Sequence, residues 1–196
     1  PATAAMLNNP RGLAVGPDGS LYIAAYSNHR IRKVSPNGTI TTVAGTGIVG
    51  TSGDGGPATA ARLNAPQGIA VASDGSLYVA DTGNHRIRKV DPAGVITTFA
   101  GPTGAAVAGF AGDGGPAAAA LFNTPASVTL ASDGALYIAD STNNRVRSIS
   151  PSGTVTTVVG SGSATFSGEG GPAPSAGIGA PSSVAVAPDG ALWIPT

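Results

Sequence analysis

Few side chains in this 196-residue chain are able to do chemistry. His29 and His85 are the only imidazoles, and each is followed by Arg-Ile-Arg-Lys-Val. Imidazole ligates transition metals and serves as a general base. Gly45-Thr46-Gly47-Ile48-Val49-Gly50 fits the G-x-G-x-x-G spacing that cradles a dinucleotide pyrophosphate. Arg30, Arg32 and Lys33 recur as Arg86, Arg88 and Lys89, and again as Arg145 and Arg147, a cationic series suited to a phosphate backbone. Asp54, Asp113 and Glu169 each stand in a Gly-(Asp/Glu)-Gly-Gly-Pro-Ala segment, where a carboxylate between glycines offers oxygen to a hard cation. There is no cysteine, so neither a disulfide framework nor thiol chemistry is available.

These groups recur because the chain repeats. Pro10-Arg11-Gly12-Leu13-Ala14-Val15 returns at Pro66, Pro125 and Pro181, at spacings of 56, 59 and 56 residues. Residues 1–45 and 57–101 match at 31 of 45 positions, so the sequence itself repeats and not merely its composition. A fixed period in this range marks a solenoid or a propeller. Repeats at 10–45, 66–101, 125–160 and 181–196, joined by linkers 46–65, 102–124 and 161–180, read as one domain over 1–196.

The second repeat shows the local structure. Gly68–Ala72 is a short apolar run, Asp74-Gly75 a hairpin turn, and Ser76–Ala80 a second strand. Arg86–Val90 is a more polar third strand, and Pro92-Ala93-Gly94 leads into the β-branched Val95–Phe99. Four antiparallel strands per repeat predict an all-β fold, a β-propeller. The chain holds three full blades and the first two strands of a fourth. The rise in polarity along each repeat predicts an innermost first strand and a third strand facing solvent. The Ala-rich tails after Pro57 and Pro116 predict a helical turn with proline at its first position.

Repeats built as P-x-G-I-A-V, D-G-S-L-Y-V-A-D, N-H-R-I-R-K-V and I-T-T-V-A-G resemble NHL repeats, in the long form with a G-D-G-G-P-A insert. The resemblance covers essentially the whole chain. It implies a propeller, usually six-bladed, that most often acts as a binding or scaffolding module. Long-insert repeats are similar to those of bacterial surface and exported proteins and of teneurin-like proteins, which implies an extracellular or cell-envelope location. Ala25 departs from the pattern of Asp81 and Asp140, Asn144 from that of the histidines, and Ser127 and Ser183 from that of Gly12 and Gly68. Three and a half blades do not close a six-bladed ring. They read as a piece of a larger protein, and Leu192-Trp193-Ile194 as an apolar edge open to self-association.

Propeller geometry decides among the candidates. With strands ~4.7 Å apart, the third strand lies at least ~10 Å from the axis. His29 and His85 on neighbouring blades therefore cannot share a metal whose ligands each lie ~2 Å away, and they read as turn-capping residues. No helix opens after Gly50, so the dinucleotide reading lapses, and no cofactor is expected. Recognition of single-stranded RNA wants exposed aromatics. Tyr22, Tyr78, Tyr137 and Trp193 instead share one position of the second strand and read as packing residues. The arginines then read as solvated blade flanks paired with acids, and no nucleic-acid partner is expected. Asp54, Asp113 and Glu169 read as loop-structuring acceptors for backbone N–H groups, or weak cation candidates, with no metal expected. Ten basic and ten acidic residues cancel, and no apolar run predicts membrane insertion.

The loops that lead from one blade to the next emerge on the same side as those between the second and third strands. That side is expected to collect Arg11, Tyr26, Gln67, Phe110 and Phe166 as contacts for a protein or carbohydrate ligand. The inner strands start with Arg11, Gln67, Ala126 and Ser182, none of them an acid or a histidine, so no catalytic residue is assigned. The reading is a non-catalytic binding or scaffolding module of a larger bacterial exported or surface protein. One alternative is a set of blades from a propeller hydrolase or lyase whose catalytic residues lie elsewhere. Another is a fragment that assembles with other copies into a closed ring.

Overall fold

The computed structural model describes residues 1–196. Blade 1 is the antiparallel meander β1 (Pro10–Val15), β2 (Leu21–Ala25), β3 (Arg30–Val34) and β4 (Ile40–Ala44). The first linker contributes β5 (Gly56–Pro57). Blade 2 is β6 (Ile69–Val71), β7 (Leu77–Asp81), β8 (Arg86–Val90) and β9 (Val95–Ala100). Blade 3 is β10 (Pro125–Leu130), β11 (Leu136–Asp140), β12 (Arg145–Ile149) and β13 (Val155–Val159). The hairpin β14 (Ala185–Val186) and β15 (Leu192–Trp193) begins blade 4. These are the blades that the repeat predicts.

Turn chemistry fixes the meanders. Gly75 adopts φ +87° between β6 and β7, and Asp74 Oδ1 accepts the Ser76 N–H at 2.8 Å. Between the second and third strands a 3-10 turn ends on a left-handed residue: His29, His85 or Asn144, at φ +53°, +55° and +51°. The histidines thus hold the turn-closing position expected of them, and asparagine tolerates the same conformation.

The period-two alternation of each strand decides which seam a side chain enters. Leu77 and Val79 pack against Tyr22, Ala24 and Ile31 of blade 1. From the same blade, Ala70, Ala80 and Ile87 pack against Leu136 and Ile138 of blade 3 and against Phe122 of the linker before it. A smaller third seam joins Ala139 and Val146 to Ile178 and Val184. The core is therefore a series of inter-blade seams, where each fully buried Leu or Ile contributes about 1.5–3 kcal/mol.

The linkers do more than connect. β5 pairs with β9, extending blade 2 to five strands, and Gly55 N donates to Ile96 O at 2.8 Å. In the second linker Gly114 N donates to Val155 O at 2.7 Å. The first two linkers thus cover the outer edge of the blade each leads into. The Ala-rich tails form single 3-10 turns (Ala58–Ala60, Ala117–Ala119, Ala173–Ser175), and proline precedes each instead of opening it.

This cover overturns the expectation of a solvated third strand. Arg86, Arg88 and Arg147 are wholly buried. Arg88 pairs with Asp54 at 2.6 Å and Arg147 with Asp113 at 2.7 Å. The same carboxylates accept the hydroxyls of Thr98 and Thr157 at 2.7 and 2.6 Å, and no backbone N–H donates to them. Asp54 and Asp113 do structure the loops, but through guanidinium groups. Glu169 in the third linker is exposed and makes no such contact. On the inner side, Asp81 accepts from Arg86 Nε at 3.2 Å, and Asp140 lies 3.5 Å from Arg147 Nη1. Burial pushes the Asp140 carboxyl up to about 6.

Candidate binding site at the propeller axis

The segment that delivers each inner strand to the axis reads Leu7-Asn8-Asn9-Pro10, Leu63-Asn64-Ala65-Pro66 and Phe122-Asn123-Thr124-Pro125. In the second and third repeats the N–H groups of the two residues before the proline are clamped. Asn64 N donates to Asp81 Oδ1 at 2.8 Å, and Asn64 O accepts Gly83 N at 2.9 Å. Ala65 N donates across the seam to His29 Nδ1 at 3.0 Å, and proline has no N–H to satisfy. In the next blade Asn123 N donates to Asp140 Oδ1 at 2.8 Å, and Thr124 N donates to His85 Nδ1 at 3.0 Å. The histidines are therefore inter-blade acceptors as well as turn residues.

These clamps hold strained backbone. Asn9, Ala65 and Thr124 lie at φ +50°, +48° and +49°, each directly before a proline that disfavours such conformers. Strain of about 1–3 kcal/mol per residue survives only where the surroundings over-determine it, and it concentrates at functional sites. Ala65→Gly is expected to raise stability by about 1 kcal/mol, because glycine reaches this conformation without a Cβ clash. Denaturant unfolding checks this, and a variant less stable than the parent would remove the strain from the description.

One residue beyond each proline, Arg11, Gln67, Ala126 and Ser182 reach the axis, followed by Gly12, Gly68, Ser127 and Ser183. These eight residues line a groove of about 240 Å³ where the four inner strands converge. Gly12 N donates to Gln67 O at 2.8 Å, stitching the strands together. Ser127 and Ser183 face each other at 3.4 Å, and the Ser182 hydroxyl donates to Pro195 O at 3.3 Å. Arg11 lies over the Tyr26 ring, 5.0 Å from its centroid, and no carboxylate or other protein acceptor meets its guanidinium. No protein group hydrogen-bonds the Gln67 side chain.

The structure therefore brings together three of the five residues expected on this face: Arg11, Tyr26 and Gln67. Phe110 and Phe166 are exposed, at 42% and 72%, but do not line the groove. Phe110 stacks over Arg145 and Arg147, at 3.8 and 4.8 Å from the ring centre, above the third strand of blade 3. Of the aromatic series in the second strand, Tyr22 is buried and Tyr78 meets Phe99 edge-on at 4.9 Å, whereas Trp193 is 69% exposed. Within the G-x-G-x-x-G segment Gly47 packs against the Arg30 guanidinium, and no helix follows. The sequence reading missed the asparagine clamp, although an Asn two residues before each of three prolines was a signal for it.

Radially repeated four-stranded blades with a polar axial groove define a β-propeller binding scaffold. The pattern of the Teneurin NHL domain matches residues 48–108, and that of the NHL repeat matches residues 7–34 and 122–147. The chain belongs to the NHL-repeat β-propeller family. It is 43% identical over 97 residues to human teneurin-4, covering 43% of this chain and 4% of that protein. The chain spans less than a tenth of the length of the curated relatives it matches. A Bacteroides thetaiotaomicron protein of unknown function shares the fold, with a TM-score of 0.74 at 22% identity, covering 95% of this chain and 44% of that one. A virginiamycin B lyase from Staphylococcus aureus shares it with a TM-score of 0.57 at 19% identity, covering 94% and 48%.

Proposed function

We propose that this chain is a non-catalytic binding and scaffolding module of a larger bacterial exported or surface protein, and that it presents its axial face to a ligand. The observation that carries this reading is the contrast between the groove and the third-strand arginines. Arg30, Arg32, Arg86, Arg88, Arg145 and Arg147 all engage protein acceptors. At the groove, Arg11 and Gln67 engage none, although the N–H groups just ahead of Gln67 are held by Asp81 and His29. Preorganised backbone beneath uncommitted polar side chains is what a recognition site needs.

The test is a glycan and peptide array probed with the 196-residue chain and with an Arg11→Ala/Gln67→Ala variant. Signals that disappear in the variant are expected. An unchanged array pattern would place recognition elsewhere. Turnover of a lactone or ester by the purified chain would favour the hydrolase or lyase alternative instead.

Self-association is a second reading, favoured by one observation. Leu13 and Val15 of blade 1 are 61% and 69% exposed, whereas Ile69 and Val128 at the position of Leu13 are buried in seams. Trp193 likewise offers the blade 4 counterpart of a face that is buried in earlier seams. A further blade would cover these faces, and a second copy of the chain supplies one. Light scattering across a dilution series is expected to show a dimer or larger species, and a persistent monomer would contradict the pairing.

A further inference from the structure

We propose that the axial groove recognises a carboxylate that sits beside a hydroxyl group on a small polar ligand. This rests on the binding role proposed above and names its chemistry. Of the eight groove residues, Arg11 alone is charged and none is acidic, so the local field favours an anion. Its guanidinium is braced on Tyr26, which reduces the rotamer freedom lost on binding. A planar fork of free N–H donors matches a carboxylate in bidentate fashion, as a lysine ammonium does not. Gln67, on the adjacent inner strand, offers one donor group and one acceptor, the pair that a neighbouring hydroxyl requires. A volume of about 240 Å³ admits a group the size of a sugar acid.

The experiment is calorimetric titration of the chain with D-glucuronate, its neutral counterpart D-glucose, and N-acetyl-L-alanine, a carboxylate without a polyol. Glucuronate is expected to bind about 10-fold or more tightly than glucose, and Arg11→Gln to abolish that difference. Arg11→Lys should retain only part of it. N-acetyl-L-alanine binding as tightly as glucuronate would mean that the carboxylate alone is read, and the hydroxyl half of the proposal would fall. Equal affinity for glucuronate and glucose, no binding of either, or no effect of Arg11→Gln would overturn it. If array signals still depend on Arg11 and Gln67 after such a failure, the binding role stands and only the ligand class is lost. Unchanged thermal midpoints verify that the Arg11 variants are folded.

An independent observation supports a second inference: we infer that the seam between blades 2 and 3 loosens on acidification because it is closed by a neutral imidazole, that of His85. The bond from Thr124 N to His85 Nδ1 requires an unprotonated Nδ1. It holds Thr124, a strained residue two positions before Ala126 of the groove. The charged groups on the elements that meet at this seam are Arg86, Arg88 and Lys89 of β8, Asp113 of the second linker, and Asp81 and Asp140; Arg86 is bound to Asp81, and Asp140 accepts the Asn123 N–H. Burial, with no charged partner, lowers the His85 pKa from its ordinary value. A lowered folded pKa gives stability that is present above about 6.5, the unfolded value, and is lost as pH falls toward the folded one.

Asp140 works in the opposite sense: its raised pKa makes the fold more stable as pH drops below about 6. Comparison with His85→Asn cancels that common contribution, and asparagine already closes the same turn at Asn144. Hydrogen exchange, corrected for intrinsic rates, is expected to show protection of Thr124 at pH 7.5 that falls several-fold at pH 5 in the parent only. Protection that is independent of pH in the parent, or the same loss in the variant, would overturn the inference.

Discussion

Asp81→Ala is expected to destabilise the fold by about 3–5 kcal/mol, the usual cost of leaving a buried ion without its partner. The carboxylate is fully buried and accepts from Asn64 N, Asn84 Nδ2 and Arg86 Nε, at 2.8, 2.8 and 3.2 Å. Removing it leaves Arg86 and Arg88 buried with Asp54 as the nearest counter-charge. Arg86 Nη1 and Arg88 Nε already lack acceptors, so blade 2 has little capacity to absorb a further loss. The chain contains its own control. In blade 1 Ala25 stands where Asp81 does, and there Arg30 and Arg32 are only half-buried and turn to the carbonyls of Thr46 and Thr41. Urea unfolding measures the effect. The exposed pair of Lys33 and Asp18 provides the contrast, since breaking a solvent-screened ion pair from its lysine side, which leaves the Asp18 turn cap on Ser20 in place, should hardly move the midpoint. Similar midpoint shifts for Asp81→Ala and Lys33→Ala would contradict the buried-network account.

Gly68→Val should be nearly as damaging, for a steric reason. A Cβ at Gly68 would lie 2.6 Å from Ser127 Cα and 2.8 Å from Val128 N, both backbone atoms that cannot rotate away. At Gly12 the obstacle is the backbone oxygen of Gln67. The inner strands of blades 1, 2 and 3 therefore approach too closely for any side chain at these positions. Overpacking of this kind costs about 1–3 kcal/mol and pushes the strands apart. Because Gly68 lines the groove, ligand affinity should fall along with stability. Ser127→Gly, where the neighbouring strand leaves room for a hydroxyl, should leave the fold intact. A stable Gly68→Val variant would mean that the seam at the axis is looser than described.

Much of this architecture was legible in the sequence, because repetition shows which features are structural. The period gave the blades, Asp-Gly gave the hairpin turns, and the shared position of Tyr22, Tyr78 and Tyr137 marked a packing row, which Trp193 at the same position does not join. The burial of the third-strand arginines was not legible. Polarity along one strand says nothing about a linker that folds over that strand from outside, and Arg88 and Asp54 lie 34 residues apart. The axial site was half legible. Arg11, Gln67 and Tyr26 follow from blade geometry, whereas Phe110 and Phe166 were placed with them because their loops leave the same side of the propeller. A linker that runs along the outer edge strand keeps Phe110 far from the axis, over Arg145. The histidines illustrate the remaining gap: a turn-closing role is local and readable, but an acceptor role across a seam depends on a partner 36 residues away.

The most direct test of the axial site is backbone hydrogen exchange of the 196-residue chain, free and saturated with D-glucuronate or the strongest array ligand. New protection is expected at residues 10–13, 66–69, 125–128 and 181–184, the four segments that meet at the groove. Protection confined to the outer strands β4, β9 and β13, or to the loops bearing Phe110 and Phe166, would contradict an axial binding site.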